Sequence, residues 1–286
     1  MTGHATIGVY DGECCGSFYV EAALTCMGLS HAVFGDDDLR DPRFGEQLST
    51  LVFGAGRISG APTAFGGTVG RQRIRDLVYG GRTFIGICAG AYLAVFDEPQ
   101  GLGLIGQDLD HPQAGNIFQG FLTVEYPRGS GKQLPLWYQN GPVFPRDAAG
   151  ARTRFTVEQE QHTDMRSATA SLTPADFSGR PALIENKYGN GRCVLSSVHP
   201  ELGSIGLGKY AALIASWRQR ETPEEHGAHP NNLPAGRSRT LFLNALPAVG
   251  LCAEANQPQW AMFRELIARA EGEPNQPDAD DASRRA

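Results

Sequence analysis

A chain of 286 residues with 41% apolar side chains is long enough to bury a large core in one α/β domain, with or without appendages. Its formal charge of -6, with no basic run, excludes the electrostatic footprint of a nucleic-acid binder. No stretch reaches the roughly 18 apolar residues of a membrane span, and six cysteines in so long a chain form no disulfide-scaffold pattern.

Ala5–Tyr10 is a short apolar run ending at Asp11-Gly12, which predicts a first strand and its turn. Ser17 is placed to cap a helix that Gly28 ends, with Val20, Ala23, Leu24 and Met27 on its inner face. His31–Phe34 predicts a second strand. Asp41-Pro42 then has the form of an N-cap with proline at the first helical position, opening a short helix toward Leu48. Leu51–Phe53 predicts a third strand, running into the glycine-rich loop Gly54–Gly60. Arg71–Tyr79 carries Ile74, Leu77 and Val78 at helical spacing, and Gly80-Gly81 stops it.

Thr83–Ile87 is a buried-strand run that ends in Cys88, with Gly86 two residues before it and Gly90 two after. A helix-compatible stretch, Ala91–Phe96, follows. This is the pattern of a nucleophile elbow, where small neighbours are needed because the backbone doubles back on itself. A thiol at such a turn faces helix N–H groups that favour a thiolate.

From Glu98 to about Gly179 the chain is rich in Gly, Pro and Gln, and helical periodicity is absent. Phe121–Tyr126, Leu134–Gln139 and Phe155–Gln161 predict strands, expected as β-hairpins inserted at a sheet edge or at one end of the domain. Parallel-sheet patterning returns with Ala182–Lys187 and Arg192–Val198, separated by the turn Tyr188–Gly191. Ile205–Arg220 reads as an amphipathic helix, Glu221–Arg239 as a loop or linker, and Thr240–Leu246 and Gln259–Ala270 as two further helices. The acidic stretch from Glu271 is expected to be disordered. The domain plan is therefore 1–220 as an α/β domain with 98–179 as a β-rich insertion, 221–270 as linker and C-terminal helices, and 271–286 as a tail.

Short apolar strands alternating with helices predict an open, mostly parallel sheet covered on both faces, a flavodoxin-like arrangement. In such a sheet the carboxyl ends of the strands share one edge, where ligands bind. Cys88 and His199 each follow directly on a predicted strand, so they are expected to meet there. Pro200 restrains the backbone after the histidine, and Glu201 lies two positions on, within reach of the imidazole. The roles expected are nucleophile, general base and acid, and orienting carboxylate. The Ala89 N–H would supply one oxyanion donor and the loop at Ala55 and Gly56 a second.

Asp11, Arg57, Tyr92 and Asn140 are candidates for contact with substrate. Arg57 could pair with a substrate carboxylate or be a surface arginine. Cys14 and Cys15 are expected in a solvent-exposed turn. His226 and His229 lack a third ligand at metal spacing, so no metal and no cofactor are assigned. Glu158, Glu160 and His162 alternate as the solvated face of a strand, and the Trp260 helix is expected to be core or an interface cap.

Gly86–Gly90 together with His199-Pro-Glu201 after Gly189-Asn-Gly191 resembles the class I glutamine amidotransferase fold. Within that fold the chain is similar to the amidotransferase-like N-terminal domain of eukaryotic-type biotin-protein ligases. The matches are Val9–Gly12, Leu51–Phe53 before a glycine loop, Cys88-Ala-Gly90 with Tyr92, and more weakly Asn140–Phe144. They cover roughly residues 5–97 and 135–205. The resemblance implies a Cys-His-Glu triad that hydrolyses an amide (C–N) bond through a thioester. It also implies a small-molecule amide substrate and a partner synthase or ligase subunit. Two departures bear on the substrate. Glutamine-using members carry Gln four residues after the nucleophile, where this chain has Tyr92, and their Pro-Gly-Gly loop is here Gly54–Gly56. Two alternatives stay open: a non-catalytic module binding a small molecule or protein, and a triad acting on an ester or peptide bond. After Glu201 no biotin-ligase catalytic domain or ammonia-consuming synthase is expected. With no secretory signal at Met1–Thr6, the expected setting is a reduced cytoplasm.

Overall fold

The computed structural model describes residues 6–111, 117–156, 171–204, 206–218, 236–246, 252 and 258–270. Five strands lie parallel: β1 (Thr6–Tyr10), β2 (His31–Phe34), β3 (Leu48–Phe53), β4 (Thr83–Ile87) and a later strand, Gly191–Ser196. The middle of the chain adds β5 (Gln119–Glu125), β6 (Gln133–Gln139), β7 (Ala151–Arg154) and β8 (Pro181–Tyr188) before that strand, β9, and then β10 (Val198–His199). The main sheet runs β2-β1-β3-β4-β9-β8-β7, and its last two strands are antiparallel. A second sheet, β10-β6-β5, is antiparallel throughout.

Strand side chains alternate between two cores, as a period of two requires. Ile7 and Val9, Val52, Ile85 and Ile87, and Val194 join one cluster. Helices α1 (Phe18–Cys26), α5 (Gly206–Arg218), α6 (Gly236–Ala245) and α7 (Pro258–Ala270) contribute to the same cluster. Tyr10, Leu51 and Phe53, Phe84, and Leu195 join the other, with α2 (Thr68–Tyr79) and α3 (Ala89–Val95). Both faces of the central strands are covered, which is why these strands are apolar on both sides. Among the described residues no helix is long and apolar enough to cross a membrane. A short helix, α4 (Pro174–Phe177), leads into β8.

Three expectations are corrected. Asp41-Pro42 opens no helix: residues 42–47 are turns, Gly45 at φ 85° cannot continue a helix, and β3 begins at Leu48. β8 is not parallel; the Tyr188–Gly191 turn closes a tight hairpin, so β8 runs antiparallel to β9 while β9 alone pairs parallel with β4. The cysteines are not all reduced: Cys26, at the end of α1, forms a disulfide with Cys252, with Cα atoms 4.6 Å apart. A separation of 226 residues leaves no spacing signal for that pair. The inserted hairpin β5–β6 builds the second sheet, and Phe155 bridges to Val124 at its edge. The strand positions 157–161, Glu158, Glu160, His162, His226, His229, most of the predicted linker and the 271–286 tail lie outside the described residues.

Candidate active site

All five residues of β4 are buried, and the strand ends centrally between β3 and β9. Cys88, the next residue, sits at φ 54°, ψ -106°, a conformation that costs a non-glycine residue strain. The surroundings impose it. The Cys88 N–H donates to Ser196 O at 2.9 Å, and Cys88 O accepts from the Ala91 and Tyr92 N–H groups at 3.1 and 3.2 Å. A Cβ at Gly86 would lie 2.6 Å from Gly90 O, and one at Gly90 only 2.0 Å from Phe53 O. Only glycine fits two residues before the cysteine and two residues after it.

His199 enters from the other sheet, where β10 pairs with β6 at Trp137. Its Nδ1 lies 2.7 Å from Glu201 Oε1, and both side chains are buried. Burial disfavours the imidazolium, but the Glu201 carboxylate and Cys88 together outweigh it and raise His199 to about 10. The ring is thus charged at neutral pH. Nδ1 then donates to Glu201, while Nε2 has no hydrogen-bond partner among the described residues. Cys88 Sγ donates to Gln139 O at 3.3 Å instead. From behind, the Trp260 indole N–H of α7 donates to Glu201 O at 3.1 Å.

Cys88 and His199 open on one cavity of about 570 Å³. Ala89, Ala55, Gly56, Arg57, Tyr92 and Asn140 also line it. Ala89 and Gly56 donate no N–H to a loop carbonyl among the described residues. The glycine loop is held close to the first turn: a Cβ at Gly56 would lie 2.0 Å from Cys14 O. Cys14 and Cys15 are consequently buried, not in an exposed turn, and burial together with Cys14 pushes the Cys15 thiol well up.

The Tyr92 hydroxyl donates to Gly141 O at 3.1 Å; burial and then Cys88 raise its pKa, so the phenol stays neutral. Asn140 sits at φ 52°, and its Oδ1 accepts the Ile117 and Phe118 N–H groups at 2.8 and 3.3 Å. Asp11 is not among the lining residues. Its carboxylate accepts the Ser17 N–H and pairs with Arg239 of α6 at 3.0 Å. Arg239 also bonds Ser17 and Glu21 and lies over the Phe18 ring.

Sequence reasoning missed Tyr19, Ser59 and Gln139 in the lining, and Arg239 and Trp260 behind it. The capping position of Ser17 was the one available pointer to Tyr19, since the first turn of a helix after β1 faces the strand ends. Among the described residues no group of three or more His, Cys, Asp or Glu side chains could hold a metal ion.

No protein-family model matches the chain. Over 167 residues, 54% of its length, the chain is 30% identical to the biotin–protein ligase of Schizosaccharomyces pombe. That stretch is 26% of the ligase, so the chain spans about a quarter of the length of the curated relative it matches. A glutamine amidotransferase of known structure superposes over 71% of this chain and 95% of its own, with 20% identity and a TM-score of 0.49. Another, from Thermotoga maritima, covers 87% and 98% respectively, with 17% identity and a TM-score of 0.44. In sequence the chain is thus similar to one of the two groups its motifs resemble, biotin–protein ligase.

Proposed function

We propose that the chain is a glutamine amidotransferase-like amide (C–N) hydrolase with Cys88 as nucleophile, His199 as acid and base, and Glu201 as the orienting carboxylate. The observation that carries the reading is a cysteine held at φ 54° beside a buried imidazole that a carboxylate 2.7 Å away keeps charged. In this reading the Cys88 thiol loses its proton to solvent as Sγ swings from Gln139 O toward the already protonated Nε2, and the thiolate, paired with the imidazolium, attacks the amide carbonyl. The Ala89 N–H and the Ala55-Gly56 loop receive the oxyanion. Collapse breaks the C–N bond as imidazolium protonates the leaving nitrogen, leaving an acyl thioester on Cys88. Neutral His199 then takes a proton from water, hydroxide attacks the thioester, and the carboxylic acid and the thiol are released. A released ammonia would be used by a separate synthase or ligase subunit.

Alkylation by iodoacetamide, mapped by mass spectrometry, tests the assignment. Cys88 should label faster than Cys14, Cys15 and Cys193, and His199→Ala should slow it about 100-fold. Equal labelling of the four thiols, or indifference to His199→Ala, would overturn it.

A second reading, a non-catalytic binding module on the same fold, is favoured by one observation: the Cys88 thiol bonds Gln139 O rather than His199. It expects a slow, His199-independent Cys88. Cleavage of an ester or peptide bond by the same triad would be distinguished by a substrate panel on wild type and Cys88→Ala.

A further inference from the structure

The lining of the cavity is one-sided in charge and mixed in polarity. Arg57 is exposed on the loop after β3 and lines the cavity, and its guanidinium has no ion-pair or hydrogen-bond partner among the described residues. Asn140 adds a second donor: with Oδ1 committed to two backbone N–H groups, its free group is the amide nitrogen. Among the described residues no Asp or Glu lines the cavity, so no carboxylate is present to welcome a cation. Tyr19 and Ile58 are the partly exposed apolar side chains of the lining; Tyr92 and Phe18 also belong to it but are almost wholly buried, and Ser59 and Gln139 add polar surface. At about 570 Å³ the cavity lies in the range that holds drug-sized molecules, far more than glutamine fills.

Position four after the nucleophile sharpens this. Tyr92 commits its hydroxyl to Gly141 O, so this position supplies no amide to hydrogen-bond a ligand. A ligand meeting Tyr19 and Ile58 beside it gains by burying apolar or aromatic surface.

We propose that the cavity takes an anionic amide bearing an aromatic or comparably bulky apolar group. Its carboxylate lies against Arg57, its apolar group against Tyr19 and Ile58, and its carbonyl at Cys88. The assignment rests on the amide-hydrolase reading for the identity of the reacting bond, but ligand preference can be read without turnover.

Titration calorimetry on the full chain carrying Cys88→Ala, which removes the chemistry, compares three probes. N-acetyl-L-phenylalanine has the amide, the anion and the ring; its primary amide lacks the charge; N-acetylglycine lacks the ring. The first should bind about fivefold tighter than either of the others. Adding Arg57→Gln should erase the difference between the acid and its amide while leaving the preference for the ring. Equal affinity for the acid and its amide, a difference that survives Arg57→Gln, N-acetylglycine binding as well as N-acetyl-L-phenylalanine, or no binding of any probe would each overturn the proposal. The alkylation experiment on wild type reports separately on the nucleophile, so failure of the ligand class and failure of the triad are distinguishable.

Discussion

At Cys88 the backbone is held at φ 54° by hydrogen bonds to Ser196, Ala91 and Tyr92, with glycines two residues before and after it, whereas His199 is held by a carboxylate 2.7 Å from its ring. The second arrangement has a pH signature. His199 is raised from its ordinary 6.5 to about 10, so in this range the folded state binds a proton that the unfolded state has released. Its stabilising contribution is complete below pH 6.5 and is lost as pH rises toward 10. The unfolding free energy of wild type relative to His199→Gln should therefore fall across that window, by at most about 1.4 kcal/mol per pH unit. Chemical denaturation at a series of pH values checks this, and a difference that rises with pH would contradict the assigned charge. The cysteine, the histidine and the carboxylate were all legible at residue level, because glycine spacing and an i+2 carboxylate are local signals. Gln139 was not: its carbonyl reaches Sγ only through the placement of β6 against β10.

Helices α6 and α7 are where prediction at the level of elements was right about existence and silent about purpose. Thr240–Leu246 and Gln259–Ala270 were recognised from helical spacing, against observed bounds of Gly236–Ala245 and Pro258–Ala270. That each supports the site depends on single polar atoms. Arg239 gathers Asp11, Ser17 and Glu21, so the loop before α1 is tied down one turn from Tyr19. Arg239→Met leaves two carboxylates without their cation in a mostly buried place, and should lower stability by about 3 kcal/mol in urea unfolding. The Asp41–Leu48 helix failed for the opposite reason. Its cap-and-proline signal was local and correct in kind, but Gly45 at positive φ and the pairing of β3 from Leu48 took the segment.

Across the whole molecule, one covalent link joins the end of α1 to the segment before α7. Thiol titration of the denatured chain should find four free cysteines before reduction and six after. Cys26→Ser should cost about 2–4 kcal/mol, because a long loop in the unfolded chain is no longer closed. Six thiols before reduction would remove the bridge from the account. Nothing in the spacing of the six cysteines announced this pair.

By itself the sequence determined the alternating apolar strands, the glycine-flanked elbow at Cys88 and the His-Pro-Glu turn, all features decided by neighbours a few residues apart. The tertiary structure alone decided which carbonyl receives the Cys88 thiol, that Asp11 serves Arg239 rather than the cavity, and that Cys26 meets Cys252. The physical reason is range. Backbone sterics and periodicity act within a turn or a strand, whereas these contacts exist only once separate elements have packed and the entropy of bringing them together has been overcome.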